Sequence, residues 1–234
     1  MQAGANTGRI RTTLQRISES FDLHAEVLLN HRGIFITIEN EVTGEVYTGL
    51  KRTLPHGVNF KIVSGISRMS WKIAKDQMSI DEINDELDRL VTLKHYSRPV
   101  LLFLVALAGA SFCRIAGGGI QDMLIAFVAT VAGLYVRQEA HKMSFNPYLC
   151  VFFASFTASL VAGFGFFMKI ASPGNFGYYT SVLFLIPGVP LMNSFSDLID
   201  GNIQTGLARG INSLMIAFAI ALGLLATMFI YHYQ

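Results

Sequence analysis

The residues best placed to do chemistry in this chain fall between Leu185 and Gly210, in the stretch LIPGVPLMNSFSDLIDGNIQTGLARG. Pro187 and Pro190 each lack a backbone N–H, and Gly188 between them lowers helix stability, so the spacing predicts a broken helix. Broken backbone inside a membrane is tolerated only where it is buried in protein or lines a wet cavity, as in transporters whose half-helices present dipole ends to a solute. Beyond Pro190 stand Asn193, Asp197 and Asp200. On a helix the two carboxylates share a face and can share a proton or hold a cation or ammonium group; a plain loop at the membrane edge is the alternative. Arg209 can pair with either aspartate, hold a substrate carboxylate, or simply mark a cytoplasmic flank. These seven residues form the candidate substrate path. The central expectation is that hydrogen bonding lost at the prolines lets a polar solute be coordinated partway through the bilayer.

Secondary candidates are Arg114 and Asp122, on either side of Gly117-Gly118-Gly119. They read either as an ion pair at the outer mouth of a pathway or as interfacial charges. Ser155, Thr157 and Ser159, with Gly163 and Gly165, suit close helix packing or, alternatively, a hydroxyl-lined path. Cys113 and Cys150 sit in apolar runs with no CxxC pair and no His at ligand spacing, so they read as packing residues and no metal site is expected. His141, beside Lys142, reads as a solvated loop residue. The sequence has no GxxxxGK[ST], no HExxH, no GxSxG, and no GxGxxG behind a strand. Neither an enzyme nor a cofactor is expected on those grounds.

The elements that must position these residues follow from composition. The 234 residues are 52% hydrophobic and 15% charged, with a mean hydropathy of +0.44, which points to lipid as a partner. Residues 1–98 hold 13 of the 18 Lys/Arg and 12 of the 16 Asp/Glu. A net charge of +2 without a dense basic cluster gives no basis for nucleic-acid binding. The predicted fold class is an α-helical integral membrane protein: five transmembrane helices in residues 99–234, preceded by a small cytoplasmic α/β domain in residues 1–98. The five apolar stretches are Pro99 to Ala116, Ile120 to Val136, Pro147 to Phe167, Tyr178 to Asn193 and Ile211 to Tyr231. With the N-terminus cytoplasmic, 16 Lys/Arg fall inside, Arg137 and Lys142 in the second loop among them, and only Arg114 and Lys169 outside. An odd number of crossings then leaves the C-terminus outside.

Within residues 1–98, Ile10, Leu14, Ile17, Phe21 and Leu28, with His24 in the remaining slot, predict one amphipathic helix. Strands are expected at Ile34 to Ile38 and Glu45 to Thr48 around a Thr43-Gly44 turn, with a third at Val58 to Val63. Ile66, Met69 and Ile73 mark a second helix. Ser79 with Glu82 forms a capping box opening a third, carried by Ile83, Leu87 and Leu90.

The chain resembles the threonine/serine exporter family of bacterial inner-membrane proteins, specifically its N-terminal half. The resemblance rests on GANTGRI near the start, NFKIVSGISRMSW at 59–71, ASFCRIAGG at 110–118 and, most specifically, IPGVPLMNSFSDLIDGNIQTGLAR at 186–209. It implies export of small amino acids, threonine and serine, driven by an ion gradient. Similar short members act with a second small membrane subunit, one such pair being associated with succinate export. Stopping at Gln234, the sequence lacks the second membrane region of fused members. A second five-helix half of opposite orientation would complete an inverted repeat, whereas a homo-oligomer of one orientation would not. The rival reading is a membrane-anchored interaction or regulatory protein whose cytoplasmic domain carries the function.

Overall fold

The computed structural model describes residues 3–30, 33–52, 57–76, 78–93, 96–172 and 174–232. They form two compact units, Met1–His95 with Gly188–Asn212, and Tyr96–Pro187 with Ser213–Gln234. The composition changes at Pro99, but compactness groups the Gly188–Asn212 segment with the N-terminal residues.

The first unit begins with helix α1 (Thr7–Glu19), capped by the Asn6 side chain. Strands β1 (Leu23–Asn30), β2 (Gly33–Asn40) and β3 (Val46–Arg52) follow as an antiparallel sheet in sequence order. The single long amphipathic helix expected through Leu28 is corrected here. It ends at Glu19, Asp22 turns the chain at φ 53, and residues 23–30 alternate as a strand. Ala25 and Leu29 lie buried on one face, while Leu28, 67% exposed, stands on the other in register with Phe35. Leu28 fitted the helical spacing only by coincidence.

The strand expected at Val58 to Val63 is also overturned, because Phe60–Asp76 is helix α2. Asn59, itself buried, accepts the N–H groups of Lys61 and Ile62, an N-terminal cap that outweighs the β-branched pattern. Helix α3 (Ile80–Val91) opens with the expected Ser79–Glu82 capping box. Met69, Ile73 and Leu90 form the core of this unit, with Ile17, Ile66, Ile83 and Leu87 packed against them.

In the second unit, α4 (Arg98–Ile115), α5 (Ile120–Lys142) and α6 (Pro147–Phe167) are long apolar helices. The second helix runs past Val136, so Arg137 and Lys142 lie on α5 and not in a loop. After α6 come α7 (Phe176–Thr180) and a 3-10 turn at Leu183–Leu185. Ile186 is extended at ψ 126 and Pro187 lies outside any helix. Helix α8 (Gly188–Ile199) then starts, and Pro190 falls in its first turn, where a missing N–H costs no helical bond. The interruption therefore sits at Ile186–Pro187. Helix α9 (Ile203–His232) is continuous.

Among the described residues four helices are long and apolar enough to cross a membrane: α4, α5, α6 and α9, with mean hydropathies of 1.4 to 2.4. The broken pair Phe176–Leu185 and Gly188–Ile199 makes a fifth if counted as one span. Phe103, Leu107, Phe112, Leu214 and Phe218 point outward from these helices, an arrangement suited to hydrocarbon.

Candidate functional site

In the first unit, α8 and the first turns of α9 are folded against each other around the Gly201 turn, where φ is +78. Gly206 permits this approach: a Cβ there would stand 2.8 Å from Cγ of Leu198. Ser194 Oγ closes the contact by donating to the Gly206 carbonyl at 2.7 Å. The result places Asp197 of α8 opposite Arg209 of α9, with Arg209 Nη1 donating to Asp197 Oδ2 at 2.7 Å. Asp197 is fully buried and Arg209 is 9% exposed.

The remaining partners come from the start of the chain. Asp197 Oδ1 accepts the Thr7 backbone N–H at 2.9 Å, a first-turn N–H of α1 that has no partner within its own helix. Arg209 Nη2 donates to the Ala5 carbonyl at 3.3 Å, and Asn193 Nδ2 to the Gly4 carbonyl at 2.8 Å. Arg11 Nη2 reaches Asn202 Oδ1 at 3.1 Å, while Asn202 N–H donates to the Asp197 carbonyl at 2.7 Å. Carboxylate, guanidinium and amide are thus each tied to residues 4–7. Thr7 Oγ1 and Asn202 Nδ2 are buried without a partner among the described residues.

Beside this cluster lies an open cavity of about 450 Å³, lined by Arg9, Phe60, Asn193 and Asp200 together with Gly4 to Asn6 and Gly8. Asp200 is exposed, and its Oδ2 stands so near the α1 first turn that a Cβ on Gly8 would be 3.1 Å away. A cation, an amide and a carboxylate around one concavity can bind a small solute carrying a carboxylate, or a carboxylate together with an ammonium group.

Of the sequence candidates, Asn193, Asp197, Asp200 and Arg209 come together here. Pro187 and Gly188 mark the break, and a Cβ added at Gly188 would enter open space. Arg114 and Asp122 do not pair. Arg114 Nη1 donates to the Gly118 carbonyl at 3.2 Å. Asp122 is fully buried and accepts from Gly119 N at 3.0 Å, Ser172 N at 3.1 Å and Ser172 Oγ, which makes it a tie between two chain segments. Ser155 Oγ donates to the Ile220 carbonyl at 2.8 Å, and Ser159 and Thr227 hydroxyls meet at 2.7 Å; these hydroxyls are used up in joining α6 to α9. His141 is exposed in the last turn of α5. Cys113 and Cys150 are free and buried. No group of three His, Cys, Asp or Glu that could hold a metal occurs among the described residues.

The sequence reading missed residues 4–7, Arg9, Phe60 and Asn202. One local signal existed: Asn6 is a good N-cap three residues before Arg9, whose N–H it accepts at 3.0 Å. That signal locates the start of α1 but says nothing of its partner, 190 residues further along the chain.

Long apolar helices and a buried polar junction beside a solute-sized cavity define the class, an α-helical membrane protein of the transporter kind. The chain belongs to the threonine/serine exporter family, whose sequence profile, described as "Putative threonine/serine exporter", matches residues 1–231. Among its relatives, the "Probable succinate transporter subunit YjjP" of Klebsiella aerogenes is 24% identical over 97% of this chain and 88% of its own length. The protein of that name in Escherichia coli K12 is 23% identical over 99% of this chain and 90% of its own. The "Threonine/serine exporter" of Corynebacterium glutamicum is 23% identical over 95% of this chain but 47% of its own length. No solved structure matches.

Proposed function

We propose that this chain is one subunit of a secondary exporter that carries a small carboxylate-bearing metabolite outward, either an amino acid of the threonine/serine kind or a dicarboxylate. The observation that carries the reading is the cavity of about 450 Å³ where Arg9, Asn193 and Asp200 converge, beside the buried Asp197–Arg209 pair. Arg9 and Asn193 donate to the solute carboxylate, and Asp200 receives an ammonium group when the solute has one. A dicarboxylate meets Asp200 as a like charge, so the same cavity discriminates between the two solute types.

Length sets the depth of the site. Helix α9 has 30 residues, roughly 45 Å at the helical rise, against a hydrocarbon core of roughly 30 Å. About a third of it therefore projects beyond the core, and we assign that part to the end bearing Arg209. In this reading the N-terminus is cytoplasmic and the C-terminus outside, in a bacterial inner membrane. Coupling to an ion gradient drives the export, with Asp197 holding Arg209 in place beside the path.

The chain covers about half of the Corynebacterium exporter, and the enterobacterial relatives are named as subunits. Both facts support a second small membrane subunit of opposite orientation as the partner. The test is efflux of labelled threonine, serine and succinate from cells expressing this chain together with a candidate second small membrane subunit. The reading predicts export of at least one solute, abolished by Asp197→Asn in protein that still inserts. Undiminished efflux from Asp197→Asn would contradict it. An anchor whose cytoplasmic domain alone works would show no efflux and would tolerate replacement of its apolar helices.

A further inference from the structure

The second unit carries a cation on its packed helix face that no other described group there answers. The buried positions of α5 include Ala126, Thr130, Gly133, Leu134 and Ala140. Arg137 follows Thr130 by seven residues and Gly133 by four, and precedes Ala140 by three, the spacing of a single helix face. That face meets α6, where a Cβ on Gly133 would stand 2.8 Å from both the Ala154 carbonyl oxygen and Cβ of Ala158.

The charges nearest Arg137 in sequence on α5 are paired. Arg98 pairs with Glu139, donates to Gln138 and lies 4.8 Å from the Tyr135 ring centroid. Lys142 takes the same Glu139 at 3.2 Å. Asp122 has its three donors, but it sits fifteen residues before Arg137, roughly 22 Å along the helix. Arg137 itself makes no hydrogen bond, ion pair or ring contact with any described residue. A guanidinium has five N–H donors in a planar fork, and on this half-buried side chain no described protein acceptor takes them, so they stay open to a ligand.

We propose that Arg137 is a carboxylate-binding residue of the membrane unit, its fork receiving a carboxylate of the exported solute. The assignment rests on the exporter reading above and adds to it a solute contact on α5. Bidentate geometry is what distinguishes arginine from lysine at such a position.

The test uses the full chain in phosphatidylcholine nanodiscs, with succinate and L-threonine as probes, titrated calorimetrically against wild type, Arg137→Gln, Arg137→Lys and Arg98→Gln. Whichever probe binds wild type should bind Arg137→Gln about ten- to a hundredfold more weakly, with Arg137→Lys intermediate and Arg98→Gln unchanged. Wild-type affinity in Arg137→Gln overturns the assignment. So does a variant whose only change is lost stabilisation by phosphatidylglycerol discs, since the guanidinium then serves a lipid phosphate. Should Arg137→Gln fail to fold, Arg137→Lys decides: it keeps the charge without the fork, and unaltered binding makes the residue merely structural. Binding that survives Arg137→Gln but vanishes in Asp197→Asn removes this assignment alone, whereas a wild type that takes neither probe removes the exporter reading as well.

Discussion

The backbone N–H of Thr7 donates to Oδ1 of Asp197 at 2.9 Å, joining the first helical residue of the chain to a carboxylate 190 residues later. The other oxygen of the same carboxylate holds Arg209. One side chain therefore secures both the N-terminal segment and the α8–α9 pairing, and a change in its charge acts on both at once.

Thr7→Pro isolates the first of these bonds. Proline is tolerated at the first helical position, and Asn6 before it already has the extended backbone, ψ 165, that a proline requires. The substitution removes that N–H along with the unpartnered Thr7 hydroxyl and leaves a buried acceptor short of a donor, a loss of about 1–3 kcal/mol. Thermal unfolding in detergent should fall accordingly while helicity by circular dichroism is retained, and efflux should drop.

The second bond is a buried ion pair. Removing one member leaves the other charge unmatched, so Asp197→Asn and Arg209→Gln should each cost about 3–5 kcal/mol. The double variant should be destabilised by clearly less than the sum of the two. A double-mutant cycle on unfolding midpoints measures this, and strict additivity would mean the two side chains do not interact.

How much of this was legible beforehand varies with the range of the interaction. The break near Pro187 and the Ser79 capping box are local, because a missing N–H and a side chain three residues away are written in consecutive positions. The apolar helices were legible for the same reason, through composition. Strand β1 was not. Leu28 lies on the exposed sheet face, and its spacing from Phe21 and Ile17 imitated a helix until Asp22 reversed the chain. The grouping of Asn193, Asp197 and Arg209 was half visible, since these residues lie close in sequence. Their ties to Gly4, Ala5 and Thr7 depend on tertiary contact alone, as does the separation of Arg114 from Asp122.

That separation gives a third prediction. Asp122→Ala should destabilise the protein by about 1–3 kcal/mol, through the unmet donors of Gly119 and Ser172. Arg114→Gln, at an exposed position with one carbonyl contact, should stay within about 0.5 kcal/mol of wild type. Equal effects in an unfolding assay would restore the ion-pair reading.

Acid sensitivity follows from the α3 cap. The Ser79 N–H and hydroxyl hold the Glu82 carboxyl below its usual range. A lowered folded-state value means that ionised Glu82 supports the fold at pH above the ordinary carboxylate range. That support fades as pH falls through the depressed value. Glu82→Gln should lower the melting midpoint at neutral pH and flatten its decline on the acid side, as read by melting curves across pH 3 to 7.

The central claim, that a solute occupies the cavity beside Asn193, is tested most directly by protection from modification. In a Cys113→Ser/Cys150→Ser background, Asn193→Cys is labelled with a water-soluble maleimide in membranes, with and without the solute that efflux identifies. With that solute at ten times the dissociation constant measured for the Asn193→Cys protein, the account predicts labelling slowed by about tenfold, while Leu207→Cys on the exposed side of α9 reacts at an unchanged rate. Labelling of Asn193→Cys at the same rate whether or not the solute is present would contradict it.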